Sequence, residues 1–140
     1  SQQFVHQAED VYKALVAKQP TLYETDKVSK EALAEWWAGD DRTLHNRKQG
    51  LQVHLALLEA AAAATPGKAG YLTCDGKSVG ECKLWATLHM LVMIKSDVLA
   101  PFPALTAFYE RFGGEEATKR VVDSGGRFPG PLKQYFVAAE

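Results

Sequence analysis

Within Gly76-Lys77-Ser78-Val79-Gly80-Glu81, the serine and the glutamate stand three residues apart, and an apolar run from Cys82 to Ile94 follows at once. This is the spacing of a capping box, in which the Ser78 hydroxyl accepts from the backbone N–H of Glu81 and the Glu81 carboxylate accepts from that of Ser78. A helix therefore starts here. Behind the box, Leu84, Trp85, Leu88, Leu91 and Val92 fall at i, i+1, i+4, i+7 and i+8, a pattern suited to a helix running through the middle of a domain. Such a helix must satisfy its first N–H groups locally, because no water reaches them. By itself the box identifies a helix and no chemistry.

The rest of the chain supplies helices for it to pack against. Phe4, Ala8, Val11, Tyr12, Leu15 and Val16 recur at three- and four-residue steps, predicting a helix over 3–18 that stops before Pro20. Thr25-Asp26 or Ser29 can cap a second run through Leu33, Trp36 and Trp37, with a break or kink at Gly39-Asp40-Asp41. The pattern resumes with Leu44, Leu51, Leu55 and Leu58, continues through Ala60 to Ala64, and ends at Thr65-Pro66-Gly67. Pro101 and Pro103 mark the start of a helix striped by Leu105, Phe108, Tyr109 and Phe112. Gly113-Gly114 is its expected stop, Glu115-Glu116 opens a short last helix, and Gly125-Gly126 closes it. Phe128-Pro129-Gly130-Pro131 reads as extended or turn, with Leu132, Tyr135 and Phe136 docking back. No alternating strand of convincing length occurs. The expected fold is all-α, a bundle of five or six helices with short connections.

At 140 residues the chain is of ordinary domain size, and one core in a single domain over 1–140 is expected. Sixteen basic residues against seventeen acidic ones leave a formal charge of −1, where a nucleic-acid-binding protein needs a basic excess to neutralise phosphates. Arg42, His45, Arg47 and Lys48 form the one local basic cluster, which reads as a solvated helix face. No nucleic-acid partner is expected. Cys74 and Cys82 are too few for a disulfide scaffold and match no zinc-ligand spacing, so reduced thiols, a cytoplasmic location and no metal are expected. Neither a membrane span nor a secretory leader is legible. Ser1 in place of Met leads to the expectation that the chain was cut from something longer or given its start by an expression vector.

Tested for chemistry, the residues give little. His6, His45, His54 and His89 lie in no metalloprotease-like spacing, and His89, on the central helix, reads as a hydrogen-bonded structural residue. No nucleophile elbow, phosphate-cradling loop or calcium loop occurs. Ser124-Gly125-Gly126 reads as a turn, since no helix follows it directly. Cys82, in the first turn of a capped helix, has two readings: an exposed thiol acidified by the helix dipole, or a buried one beside the apolar stripe. Of the adjacent Trp36 and Trp37, at least one ring is expected in the core.

In their order these elements resemble the all-helical C-terminal domain of cytosolic glutathione transferases, most of all the sigma class. The residues that carry the resemblance are Ser78-Val79-Gly80-Glu81, where the family usually has Ser or Thr, two residues and Asp, together with Tyr71-Leu72 just before it, Lys95-Ser96-Asp97-Val98-Leu99, and Pro103-Ala104-Leu105. The match covers about residues 4–128. It implies that a thioredoxin-like N-terminal domain, absent from this chain, binds glutathione as co-substrate and activates its thiol, so that no residue here is catalytic and the chain alone is inactive. The helical domain would then supply one wall of a cleft for a hydrophobic small molecule and part of a homodimer surface. Asp10 resembles the acidic residue that reaches the glutathione amino group of the neighbouring subunit, and reads equally as an exposed helix carboxylate. Tyr12 would lie toward the electrophile cleft, as would Lys83, Ala86 and Thr87 on the central helix, although a lysine departs from an apolar cleft. Gly80 replaces a better helix former, and Glu81 is longer than the usual Asp. Similar domains also serve as non-catalytic assembly modules in translation elongation factors and aminoacyl-tRNA synthetase complexes, and that is the alternative function.

Overall fold

The structure, a computed structural model, describes residues 2–16, 34, 37, 50–64, 71–72 and 77–124. The described residues are all-helical, with no strand among them. Five helices can be bounded among the described residues: α1 (Gln2–Val16), α2 (Leu51–Ala64), α3 (Val79–Ile94), α4 (Pro103–Gly114) and α5 (Glu116–Asp123). The features expected at Pro20, Thr25-Asp26, Ser29, Leu33, Trp36, Gly39-Asp40-Asp41, Leu44, Thr65-Pro66-Gly67 and Phe128–Phe136 lie outside the described residues, as do Cys74, Arg42, His45, Arg47 and Lys48. So do the side chains of Leu15 and Val16.

The middle position expected of α3 follows from which of its residues are covered. Leu84, Trp85, Leu88 and Leu91 are buried as their spacing predicts, and Gly80, Thr87 and Met90 are buried as well, so more than one face is enclosed. Phe4, Ala8 and Val11 of α1 and Leu51, Leu55, Leu58 and Ala62 of α2 close the core from one side. Leu105, Phe108 and Phe112 of α4 close it from another, with Val98, Leu99 and Phe102 of the connecting turn. α5 contributes least, burying only Thr118 and part of Val122.

Gly113 and Gly114, the expected stop of α4, are its last two residues, and the chain turns at Glu115. The Trp85 indole lies beside Gly113, where a Cβ would stand 3.4 Å from Nε1, an ordinary contact distance. Trp85 Nε1 donates to the carbonyl of Tyr109 at 3.0 Å, and its ring stacks on His89, Tyr109 and Phe112. Trp37 is half-buried against the core.

Candidate functional site

Two arrangements at α3 are built rather than merely packed. The first is the box, whose Ser78 Oγ accepts from Glu81 N–H at 3.3 Å while Glu81 Oε2 accepts from Ser78 N–H at 2.9 Å. Glu81 is fully buried, and its other oxygen, Oε1, accepts from the backbone N–H of Leu72 at 2.5 Å. The carboxylate therefore does two jobs: it caps α3 and it fixes the segment before the box. A carboxylate this deep is tolerable because backbone donors meet both oxygens at the positive end of a helix dipole. The extra length of glutamate over aspartate suits this double reach.

The second is the face that α1 and α3 share. Lys83 binds Glu9 of α1 in an ion pair, each partner more than a third exposed. The hydrogen bond and charge of Lys83 hold the Glu9 carboxyl below its ordinary range. One position along α1, Asp10 is exposed and acts electrostatically on half-buried His54 of α2. Glu9 and Asp10 thus serve different flanks of one helix, as neighbours about 100° apart around it can. Tyr12 is 39% exposed. Ala86 is half-buried, and buried Thr87 donates its hydroxyl to the Lys83 carbonyl at 3.0 Å. Lys83, Ala86 and Thr87 therefore sit together within about one turn of α3, and Asp10 lies toward α2.

Other sites expected from the sequence resolve one by one. His89 Nδ1 lies 2.8 Å from Tyr109 Oη, and the imidazole stacks on Trp85 at 4.8 Å between centroids. Burial pushes the His89 pKa down and the Tyr109 pKa up, so both groups stay neutral near pH 7. Cys82 is exposed, which removes the buried alternative. Among the described residues no cluster of His, Cys, Asp and Glu can hold a metal ion, and no helix is long and apolar enough to cross a membrane.

Sequence reasoning missed Glu9 and Glu59. Glu59, the single charge in the otherwise apolar second half of α2, accepts from Ala104 N–H and Leu105 N–H at 2.8 Å each, capping α4 across the fold. The N-cap of α4, Phe102, has no side-chain cap of its own, and Pro103 follows it. A lone carboxylate in an alanine run was the available signal, but only the fold reveals its target. Glu9 and Lys83, 74 residues apart, gave no local signal at all.

What these observations define is a class, a helical domain whose enclosed central helix is capped by a buried carboxylate. The chain matches no model of a known protein family, no curated protein and no solved structure.

Proposed function

We propose that this chain is the helical C-terminal-type domain of a glutathione transferase-like protein and supplies the hydrophobic wall against which a small electrophile meets the glutathione thiolate. The observation that carries the reading is the single carboxylate of Glu81, which joins the Ser78 box to Leu72. These are two of the segments on which the family resemblance rests, and a shared physical link explains why they occur together. On this reading the thiolate is generated by a thioredoxin-like domain or partner subunit, and this domain contributes by positioning. Lys83 suits an apolar wall better than its charge suggests, since Glu9 takes its ammonium and leaves the aliphatic stem. Ala86 and Thr87 continue that wall, Tyr12 lies at its α1 side, and Asp10 is free to reach a glutathione amino group across a homodimer.

The test is to isolate the native protein from its own cells with an antibody to this domain and read its full sequence by mass spectrometry. A thioredoxin-like segment upstream, with glutathione conjugation that loses electrophile affinity on Tyr12→Ala, is the expected result. The chain alone should conjugate a generic aryl halide no faster than the spontaneous reaction. A native protein with no such segment and no glutathione binding overturns the proposal.

A second reading, a non-catalytic assembly module of the kind found with elongation factors and aminoacyl-tRNA synthetases, is favoured by a different observation. Val53 and Leu57, four residues apart on α2, are 41% and 49% exposed. Adjacent apolar side chains on one helix face suit a protein contact. Recovery of the domain fused to translation machinery, with binding lost on Leu57→Ser, would select this reading.

A further inference from the structure

At the far end of α3 from the capping box, an apolar cavity of about 280 Å³ opens beside the last turn of the helix. Its floor is the buried side chains of Leu51, Leu91 and Val98, and its sides are Ala34, Trp37 and Ile94. Leu91 lies eight residues beyond Lys83, or about 12 Å along the helix axis. None of the residues assigned above to the electrophile wall lines this cavity.

The chemistry of an occupant follows from size, lining and charge. An apolar cavity of roughly 150 Å³ accepts benzene, so this one has room for about two fused rings. The one charged group on its lining, Lys95, has its ammonium bound to Asp97 and placed 5.4 Å from the centre of the Trp37 ring. The carbonyl end of α3 adds partial negative charge on the same side. The positive charge of Lys95 is thereby offset, and the mouth offers an anion no net attraction. A charged ligand would lose its hydration among leucine, isoleucine and valine with nothing to replace it. The Trp37 ring offers an aromatic partner instead.

We propose that this cavity is a binding site for an uncharged aromatic molecule of fused-bicyclic size, held between Trp37 and the Leu91–Ile94 turn. It is independent of the glutathione reading, because no residue and no readout is shared.

Methyl NMR spectra of the 140-residue chain titrated with quinoline, 2-naphthoate and 2-naphthylmethylammonium at pH 7 test this. Neutral quinoline should shift the methyl signals of Leu51, Leu91, Ile94 and Val98 saturably, with a Kd of about 0.1–1 mM for a ligand of this size. The two charged probes should bind about tenfold more weakly or worse. Ile94→Trp should fill the cavity and abolish the shifts. Trp37→Ala, at a half-exposed position where folding is less at risk, should weaken binding about tenfold. Absence of saturable shifts, equal binding of the charged probes, or shifts that survive Trp37→Ala unchanged would each overturn the proposal.

Discussion

Glu81 is one side chain with two backbone obligations, and that makes its replacements informative. Glu81→Ala strands the N–H groups of Leu72 and Ser78, and a loss of about 2–6 kcal/mol is expected from urea denaturation, at one to three per orphaned donor. Glu81→Asp, the residue usual in the resembled family, should keep the box and release Leu72, costing about 1–2 kcal/mol. No loss for Glu81→Asp would mean that the Leu72 bond contributes nothing, and equal losses for the two variants would mean the same of the Ser78 bond. His89 and His54 give a second expectation, this time in pH. Burial lowers both folded pKa values below the unfolded value of 6.5, so the unfolded chain binds protons first as pH falls. Stability is then complete above 6.5 and declines as pH drops toward the folded values. The urea midpoint at pH 5.5 should be lower than at pH 7.5, and His89→Gln should reduce the difference. Glu9 and Asp97, titrating below 4.5 and 3.8, do not enter this window.

Helix ends carry most of what was and was not legible at the next scale. Ser78 and Glu81 lie close in sequence, so their mutual cap could be read directly; the cap of α4 could not, because its acceptor is Glu59, some 45 residues away. Glu59→Ala should destabilise the fold by about 1–2 kcal/mol and speed hydrogen exchange at Ala104 and Leu105. Unchanged exchange at those two amides would remove Glu59 from the capping role. The core stripes of α1, α2 and α4 were readable for a related reason, since a 3.6-residue period names the buried face without naming its partner. The end of α4 was readable too, at Gly113-Gly114, whereas the indole that lies against Gly113 belongs to Trp85, 28 residues earlier, and was not. The candidate site divides the same way. Lys83, Ala86 and Thr87 share a turn of one helix by spacing alone, whereas the ion pair that takes the Lys83 charge, and the cavity between Trp37 and Leu91, exist only through contacts distant in sequence.

Across the whole molecule, the described contacts converge on α3. Glu9 reaches it from α1, Leu72 from the preceding segment and Tyr109 from α4, while its own Leu84, Leu88 and Leu91 lie at the centre of the core. The fold therefore has a gradient of stability rather than a uniform one, and α5 stands at its low end. It has eight residues, too few to persist as an isolated helix in water, and it buries little besides Thr118. Its internal ion pair, Arg120 with Glu116 at 4.0 Å, is solvent-exposed and adds little. Besides Thr118 and Val122, the helix is held at its start by its N-cap Glu115, which binds Lys77 and lies 3.6 Å from Arg111. Native-state hydrogen exchange should rank the amides of α3 as the most protected and those of α5 at least about a hundredfold less so, opening locally without global unfolding. Glu115→Gln should lower α5 protection further and leave Leu88 and Leu91 unchanged. If α5 exchanges only through the same global opening as α3, the last helix is bound to the core more strongly than its contacts explain, and the gradient argued from them is wrong.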